Sequence, residues 1–376
     1  MSLPLEELKT LIQCKEWARL RALLTRWPVA DVADALAGLE KRDRVLIFRS
    51  LPRGLAAEVF SYMQAHEQDA LLRELTDDES RRLLDDLAPD DRTSLFEELP
   101  AEVTQKLLSY LSREELKEAR LLLGYPEGST GRLMTPDYVS VRPDWTVAQA
   151  MEHIRTAGKD SETINAIYVT DAASRLIGVV SLRRLVLGNP DDKIRGIMRA
   201  PALCVDAFSD REKAAQLMQK YDLSVSPVVD SQGILLGIVT GDDVFEAVQK
   251  ETTEDFHKAG GLRPIRMSLR DASPLLLYRS RISWLLGLSL VYLVSGSIMS
   301  KFEDSIAKAV PLVFFLPLLI DSAGNAGAQS ATLTVRAMAV GDIGVQDWLR
   351  VLFREALVSL ALGMTMALAV SAIAAS

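Results

Sequence analysis

Two similar stretches decide the fold: IYVTDAASRLIGVVS at residues 167–181 and PVVDSQGILLGIVT at residues 227–240. Each contains two apolar runs separated by polar turn residues, which is the pattern of a strand, a turn and a second strand. The stretches lie about sixty residues apart, so the sequence contains an internal repeat. The repeat predicts two related α/β units within one part of the chain.

The repeat extends outward from these strand pairs. In each copy a short motif, a brief apolar run and an amphipathic helix precede the strand pair, and another helix follows it. The matching segments are LMTP at 133–136 with IMRAP at 197–201, VSV at 139–141 with LCV at 203–205, and the helices at 147–154 and 213–220. The predicted order is therefore β-α-β-β-α twice, within residues 129–241.

A shorter repeat precedes this region. Apolar residues recur every twelve positions: Leu39, Leu51, Met63, Leu75, Leu87, Leu99 and Leu111. Thr76 and Ser112 follow two of them and precede acidic residues, as helix N-caps do. Helices of about two turns cannot bury their apolar stripes alone, so they are expected to stack. We predict an all-α superhelical domain over residues 1–128, with a linker from Gly124 to Ser129.

Acidic residues are concentrated in the first three quarters of the chain. Residues 1–280 hold 37 Lys and Arg against 45 Asp and Glu, whereas residues 281–376 hold 6 of each sign. Nucleic-acid binding needs a basic stripe, so a nucleic-acid partner is excluded. An acidic domain is compatible with cation binding, although solubility alone also explains acidity. No nucleophile elbow, Walker loop or zinc motif is present, and we do not expect an enzyme.

The last quarter of the chain predicts three membrane spans. Residues 282–300 form a stretch of nineteen residues without a charge, about enough for a helix to cross a bilayer. Residues 309–340 and 356–376 form the second and third spans. Arginines precede the first span and flank the loop after the second, which places the N-terminal domains in the cytoplasm. We expect a multi-pass protein of the cell inner membrane, with an acidic helix and linker over residues 242–275 leading into it.

The middle span carries polar side chains on one helix face. They recur at spacings of four, four and three residues: Asp321, Asn325, Gln329 and Thr332. Polar groups at membrane depth are costly unless they pair or line a wet cavity, so this face is a candidate functional site. Interhelical hydrogen bonding is the alternative, because Gly324 and Gly327 permit close helix approach.

Two motifs resemble known families. The repeated h-G-h-h-[ST] ending, where h is an apolar residue, resembles a tandem pair of CBS domains. The stretch PLLIDSAGNAGAQSAT at residues 317–332 resembles the pore-helix motif P-x(6)-G-N-x-G-x-Q-S-A-T of the MgtE family of magnesium channels and transporters. The predicted fold class is therefore a multidomain membrane protein with an all-α N-terminal superhelical domain, an α/β tandem CBS pair and an α-helical transmembrane domain, here at residues 276–376.

The resemblance to the MgtE family implies a homodimer with a pore on its twofold axis. It also implies that the cytoplasmic domains close the pore when Mg²⁺ is bound. The family has five membrane helices with a pore carboxylate on the fifth, and this sequence supplies three spans. Asp321 stands where relatives can have glycine, and Ser94 stands where they can have a further aspartate.

The resemblance also assigns candidate site residues. The Mg²⁺ ligands are Glu58 and Asp90 in the N-terminal domain, Glu212, Asp222, Asp243 and Glu246 in the CBS pair, and Glu251, Glu254 and Asp255 in the connecting helix. The pore-lining residues are Asp321, Gly324, Asn325, Gln329 and Thr332. Ser181, Thr240 and Asp243 are candidates for binding ATP or another adenosine nucleotide. Each acid alone is also explained by a solvated helix face, and Thr240 by helix capping.

The sequence therefore predicts a Mg²⁺-selective channel or transporter regulated by intracellular Mg²⁺, with the lipid bilayer and divalent cations as partners. Two alternatives remain at this point. One is a membrane-anchored CBS sensor of adenosine nucleotides. The other is a transporter of another divalent cation, Co²⁺ or Mn²⁺.

Overall fold

A computed structural model describes residues 5–159, 161–265, 272–303, 307, 316–339 and 342–375. The chain divides into two compact units, residues 1–247 and 248–376. The first unit begins with short helices: α1 Leu5–Gln13, α2 Trp17–Leu24, α3 Val29–Ala37, α4 Lys41–Ser50, α5 Arg53–Ser61, α6 Ala65–Leu72, α7 Asp77–Asp86, α8 Pro89–Glu98, α9 Ala101–Leu108 and α10 Arg113–Leu123.

The twelve-residue repeat sets the spacing of these helices. Leu51, Leu87 and Leu99 each follow the last residue of a helix and lie buried in one shared core. Thr76 and Ser112 cap α7 and α10: the backbone N–H of Glu115 donates to Ser112 Oγ over 3.2 Å. These contacts confirm the predicted all-α N-terminal domain.

The two repeated units follow. Their elements are α11 Thr130–Leu133, β1 Ser140–Val141, α12 Val147–Ala157, β2 Ala166–Thr170, β3 Leu176–Ser181, α13 Leu182–Leu187, α14 Ile194–Ile197, β4 Val205–Asp206, α15 Arg211–Tyr221, β5 Val225–Val229, β6 Leu235–Thr240 and α16 Gly241–Ala259. The sheet orders are β1-β2-β3 and β4-β5-β6, and in each the first pair is parallel and the second antiparallel.

The segment that opens each repeat pairs with the last strand of the other repeat. Thr135 exchanges backbone hydrogen bonds of 2.9 Å with Ile238 of β6, and Arg199 pairs with Val179 of β3 in the same way. A Cβ on Gly237 would lie 2.6 Å from the carbonyl oxygen of Thr135, so only glycine permits this approach. The glycine of the h-G-h-h-[ST] motif therefore permits the backbone pairing that joins the two repeats.

Two strand boundaries differ from the prediction by more than one residue. The strand predicted at 203–205 is β4 at Val205–Asp206, because these two residues are the ones that pair with Val228 and Val229. The strand predicted to start at Pro227 starts at Val225, since Ser226 pairs with Val239 and is fully buried. A buried serine gives no apolar signal in the sequence.

In the second unit, α17 spans Pro274–Ser300, α18 Leu316–Ala339 and α19 Trp348–Ala375, with a 3-10 helix at Val345–Asp347. Residues 309–315 and 340 of the predicted second span lie outside the described residues. Within the described residues, α17 and residues 348–372 of α19 are long and apolar enough to cross a membrane. The middle helix, α18, falls outside that set because of its polar face. Both apolar helices start earlier than predicted, α17 because Ser273 caps it. The predicted fold class is confirmed.

A candidate cation site at an acidic interface

The first turn of α8 brings two aspartates to the surface that faces the CBS repeats. Asp90 is 8 % exposed, and no group in the described part of the chain hydrogen-bonds its Oδ1. Asp91 is half-buried and lies near Ser61 at the end of α5, whose hydroxyl donates to the carbonyl oxygen of Glu58 over 2.9 Å. Burying a carboxylate with an unsatisfied oxygen is costly, so Asp90 is the most unusual acid in this unit.

The start of α16 supplies the facing carboxylates. Thr240 ends β6, and its Oγ1 donates to Asp243 Oδ2 over 2.6 Å. Asp243 is half-buried and within hydrogen-bonding reach of Asp90. Asp242 and Glu246 are exposed on the same helix and interact electrostatically with Asp91. The N-terminal domain and the second CBS repeat therefore meet through carboxylates of the same charge.

The first CBS repeat adds Glu162, which precedes β2. Its backbone N–H donates to the carbonyl oxygen of Asp137 over 2.9 Å. Its carboxylate contributes to the repulsion felt by Asp90 and Asp91. We call the whole group the acidic cluster; its members are Asp90, Asp91, Glu162, Asp242, Asp243 and Glu246.

Burial and like charges raise the pKa values of Asp90 and Asp243. Loss of contact with water raises the pKa of Asp90 well above its ordinary value, and the carboxylates of Asp243, Asp91 and Glu162 add to the rise. Burial raises the pKa of Asp243 to about 7, although the hydrogen bond from Thr240 acts in the opposite direction. These two acids therefore resist ionisation at neutral pH unless a cation balances their charge.

The neighbouring acids shift in the same direction. The pKa of Asp91 rises to about 6, mainly through burial and then through the charges of Glu162 and Glu246. Burial also raises the pKa of Glu162, and Asp242 and Asp137 increase that rise. Strongly perturbed acids that share one interface are typical of a functional site.

The buried arginine that is adjacent to these acids in sequence, Arg92, forms ion pairs with other residues. Arg92 follows Asp91 directly but is 3 % exposed and donates to Glu118 Oε2 over 2.7 Å. A second interaction, 3.7 Å long, joins it to Glu115 on the same helix, α10. Among the ion pairs of the described residues, none involves Asp90, Asp91 or Asp243. Within the part of the chain that the structure describes, the buried acids of this interface therefore have no protein countercharge.

The acidic cluster is not a preformed chelate. Within the ranges that the structure describes, no three His, Cys, Asp or Glu side chains converge closely enough to hold a bare metal ion. Mg²⁺ dehydrates reluctantly and is commonly bound through one or two carboxylates and several waters. The arrangement of the cluster suits a hydrated divalent cation better than a fully dehydrated one.

The other predicted ligands lie at several places. Glu58 is exposed on α5, one turn before Ser61. Glu212 lies in the first turn of α15 and Asp222 at its end, where φ is +53°; both are exposed. In the second unit, Glu251, Glu254 and Asp255 are half-buried on α16, and Lys258 lies 3.3 Å from Glu254. Of the predicted ligands, the structure brings together Asp90, Asp243 and Glu246.

The predicted pore residues share one side of α18. The Nδ2 of Asn325 donates to Asp321 Oδ2 over 3.0 Å, so these two residues, one helical turn apart, lie on the same side of the helix. Thr332 Oγ1 donates to the carbonyl oxygen of Ala328 over 2.8 Å. A Cβ on Gly324 or Gly327 would meet no atom of the described residues within 4 Å, so no described residue covers this helix face at the two glycines.

The candidate nucleotide residues are divided between two places. Ser181 caps α13, accepting from the backbone N–H of Arg184 over 3.3 Å, and borders a cleft of about 530 Å³. The cleft is lined by Asn165, Ser181, Leu182, Arg183, Val186 and Leu187. Thr240 and Asp243 hydrogen-bond each other at the acidic cluster instead.

Comparison with known proteins assigns four stretches of the chain to protein families. Residues 27–128 match the MgtE intracellular N domain, residues 131–188 and 194–250 match CBS domains, and residues 316–376 match the divalent cation transporter family MgtE. A magnesium transporter MgtE of Thermus thermophilus is 36 % identical over 96 % of this chain and 80 % of its own length. The chain belongs to the MgtE family of magnesium transporters.

Comparisons with other magnesium transporters and their cytosolic domains support this assignment. The magnesium transporter MgtE of Bacillus subtilis is 30 % identical over 92 % of this chain and 79 % of its own length. A crystal structure of the cytosolic domain of the Mg²⁺ channel MgtE in complex with ATP has a TM-score of 0.62, with 35 % identity, 65 % of this chain and 99 % of that chain covered. The soluble part of a magnesium transporter matches equally well in fold, with a TM-score of 0.62 and 29 % identity over 66 % of this chain and 97 % of that chain. The predicted MgtE membership and CBS pair are confirmed.

Sequence reasoning missed half of the acidic cluster. Asp91 and Asp242 are the unpredicted members of two aspartate doublets, each in the first turn of a helix. The doublets are a signal that could have been used, because acids at a helix N-terminus are common but paired acids there repel one another. Glu162 stands alone in a loop, and no sequence pattern connects it with α8 or α16.

Proposed function

We propose that this MgtE-family chain couples a Mg²⁺ sensor at the acidic cluster to a membrane pathway for Mg²⁺. In this proposal, Mg²⁺ bound at the cluster holds the N-terminal domain against the CBS pair and favours the closed pathway. The observation that carries the proposal is the burial of Asp90 opposite Asp243, with no countercharge supplied by the described residues. The names of the related proteins support Mg²⁺ as the ion that is transported.

The switch follows from electrostatics. Without a cation, the carboxylates from α8, α16 and the loop at Glu162 repel one another across the interface. A divalent cation removes this repulsion only in the assembled arrangement, so it binds that arrangement more tightly and shifts the population toward it. Low intracellular Mg²⁺ therefore favours separation of the domains and opening of the pathway.

The membrane part of the proposal rests on α18. Its face of carboxylate, amide and hydroxyl oxygens suits a hydrated Mg²⁺ ion. We propose a homodimer of the inner membrane, with the pathway between the two copies of α18 and the N-terminal domains in the cytoplasm. Oxygen ligands also suit Co²⁺ and Mn²⁺, so these cations are the alternative cargo.

A nucleotide is proposed as a second ligand of the CBS pair. The cleft beside Ser181 and the hydroxyl of Thr240 supply polar groups, and the similar cytosolic domain was crystallised with ATP. Calorimetry with ATP, AMP and Mg²⁺ distinguishes the two functions considered for this chain. Binding of nucleotide without any response to Mg²⁺ would favour a membrane-anchored nucleotide sensor over a Mg²⁺ sensor.

Limited proteolysis of the full chain in detergent tests the Mg²⁺ sensor. Millimolar Mg²⁺ is expected to slow cleavage in the linker at residues 124–128, because the N-terminal domain then stays docked on the CBS pair. The D90N/D91N variant is expected to show the same cleavage in EDTA and in Mg²⁺. The matched control is D77N/D78N, which alters an exposed aspartate doublet in the first turn of α7.

The control removes the same charge from the first turn of a similar helix and should keep the Mg²⁺ response. Identical cleavage of the wild-type chain in EDTA and in Mg²⁺ would contradict the proposal. So would an equal loss of the response in both variants, since that outcome reports general charge and not the acidic cluster.

A further inference from the structure

Three arginines gather at the start of α17. Arg279 and Arg281 lie on the helix itself, and both are exposed. The backbone N–H of Arg263 donates to the carbonyl oxygen of Ser280 over 3.2 Å, so the backbone of this third arginine lies at the same level of the helix. We call Arg263, Arg279 and Arg281 the arginine collar.

Packing fixes the loop that carries Arg263. Gly261 has a φ of +67°, and a Cβ there would lie 2.5 Å from the indole of Trp284. A side chain at Gly261 is therefore excluded both by the backbone conformation and by the tryptophan. Ser280 is 6 % exposed beneath this loop. The collar is a defined arrangement of the folded second unit and not three independent surface residues.

The collar has no acidic partner in the part of the chain that the structure describes. Other arginines of the same unit do: Arg350 Nη1 lies 3.1 Å from Asp347, and Arg354 Nε lies 3.9 Å from Glu355. Arg266 and Arg270 lie between the collar residues in sequence and carry the same sign, but they fall outside the described residues. The collar therefore presents uncompensated positive charge.

The collar lies where the polar and apolar parts of α17 meet. The charge-free stretch begins at Ile282, directly after Arg281, and exposed leucines such as Leu285 and Leu286 follow. A shallow groove of about 360 Å³ runs along one helix face across this boundary. It is lined by Pro274, Leu277, Tyr278, Arg281, Ile282 and Leu285. The positive charge and the apolar surface of α17 thus follow each other along the helix as the headgroup and the acyl chains do in a lipid.

We propose that the arginine collar binds anionic phospholipid headgroups, and that Arg281 holds the headgroup whose acyl chain lies along the groove beside Leu285. Guanidinium groups bind phosphate oxygens in a planar, bidentate manner. Arg279 and Arg281 are two residues apart on α17 and therefore lie on opposite sides of the helix, so each can bind the phosphate of a different lipid. A zwitterionic headgroup carries its own ammonium, which offsets the phosphate, so lipids with net negative charge are preferred. The site is separate from the acidic cluster and does not depend on the proposed cation sensor.

Native mass spectrometry of the full, delipidated chain tests this site. The chain is offered equimolar phosphatidylglycerol and phosphatidylcholine with identical acyl chains, and the ratio of retained lipids is measured. The wild-type chain is expected to retain phosphatidylglycerol about tenfold over phosphatidylcholine, and R279Q/R281Q is expected to bring the ratio close to one. The matched control is R350Q/R354Q, which removes the same charge from arginines that have carboxylate partners and should keep the preference.

The outcomes against the proposal are specific. Equal retention of the two lipids by the wild-type chain would overturn it without reference to any variant. An equal loss of preference in R350Q/R354Q would show a diffuse effect of charge and not a site. Displacement of phosphatidylglycerol by millimolar inorganic phosphate would identify a site for free phosphate and overturn the assignment to lipid.

Discussion

At the scale of single residues, the acidic cluster predicts how stability depends on pH. The pKa values of Asp91 and Asp243 rise to about 6 and about 7 in the folded chain, so the folded state holds protons that the unfolded state releases. This contribution to stability is complete below the ordinary aspartate pKa and is lost as pH rises through the raised values. In EDTA, the first unit should therefore unfold at a lower temperature at pH 8 than at pH 5.

Differential scanning calorimetry of the full chain at several pH values measures this effect. Mg²⁺ should restore stability at pH 8 and add little at pH 5, where protons already neutralise the cluster. D90N/D91N should flatten the pH dependence, whereas D77N/D78N should preserve it. A melting temperature in EDTA that rises between pH 5 and pH 8 would show that the cluster is not protonated as described.

Arg92 gives a second residue-scale prediction. In R92M, the methionine side chain fills most of the volume of the arginine. The half-buried carboxylate of Glu118 loses the 2.7 Å hydrogen bond that it accepts from Arg92. Breaking a buried ion pair from one side costs about 3 kcal/mol of unfolding free energy. R49M is the control, because Arg49 pairs with Glu79 over 2.8 Å at the surface and should cost about 1 kcal/mol or less. Chemical denaturation measures both, and equal costs would contradict the role assigned to burial.

At the scale of elements, the crossed pairing of the CBS repeats depends on glycine. G237A places a methyl group 2.6 Å from the carbonyl oxygen of Thr135, and such overpacking costs about 1–3 kcal/mol. G196A is the matched control, since nothing lies within 4 Å of a Cβ there and Gly196 is in a helix. Thermal unfolding should separate the two variants. An unchanged melting temperature for G237A would show that the strands can move apart without loss.

The polar face of α18 gives a prediction for transport. Asp321 carries the charge of the Asp321–Asn325 pair, so D321A should change Mg²⁺ flux through reconstituted liposomes if this face lines the pathway. S322A, which alters a neighbouring position of the same helix, is the control. Unchanged flux in D321A would remove Asp321 from the pathway and favour a role in helix packing.

Comparison of the helices and strands with their predicted positions shows which parts of the fold the sequence could predict. Strong periodicity predicted the short helices, because a buried leucine every twelve residues leaves few other arrangements. The predicted element boundaries were wrong where a polar residue belongs to the element. Ser226 lies in a buried strand, and Ser273 caps α17 before the charge-free stretch begins. The acidic cluster was predicted only in part, since Glu162 reaches it through tertiary folding and no local pattern reports that proximity.

At the scale of the whole molecule, regulation is proposed to arise from the same carboxylates that make the metal-free interface costly. The fold places α8, α16 and the loop at Glu162 together, and no described residue supplies a countercharge for Asp90. A divalent cation that binds this arrangement adds stability according to its concentration, about 2.7 kcal/mol at one hundred times its Kd. The docked state is therefore expected to require Mg²⁺ at neutral pH.

Calorimetric titration of Mg²⁺ into the full chain at pH 8 tests the central claim most directly. We predict saturable binding that D90N/D91N weakens by about tenfold or more, while D77N/D78N leaves it unchanged. Equal Mg²⁺ affinity in the wild-type chain and in D90N/D91N would contradict the assignment of the sensor to the acidic cluster.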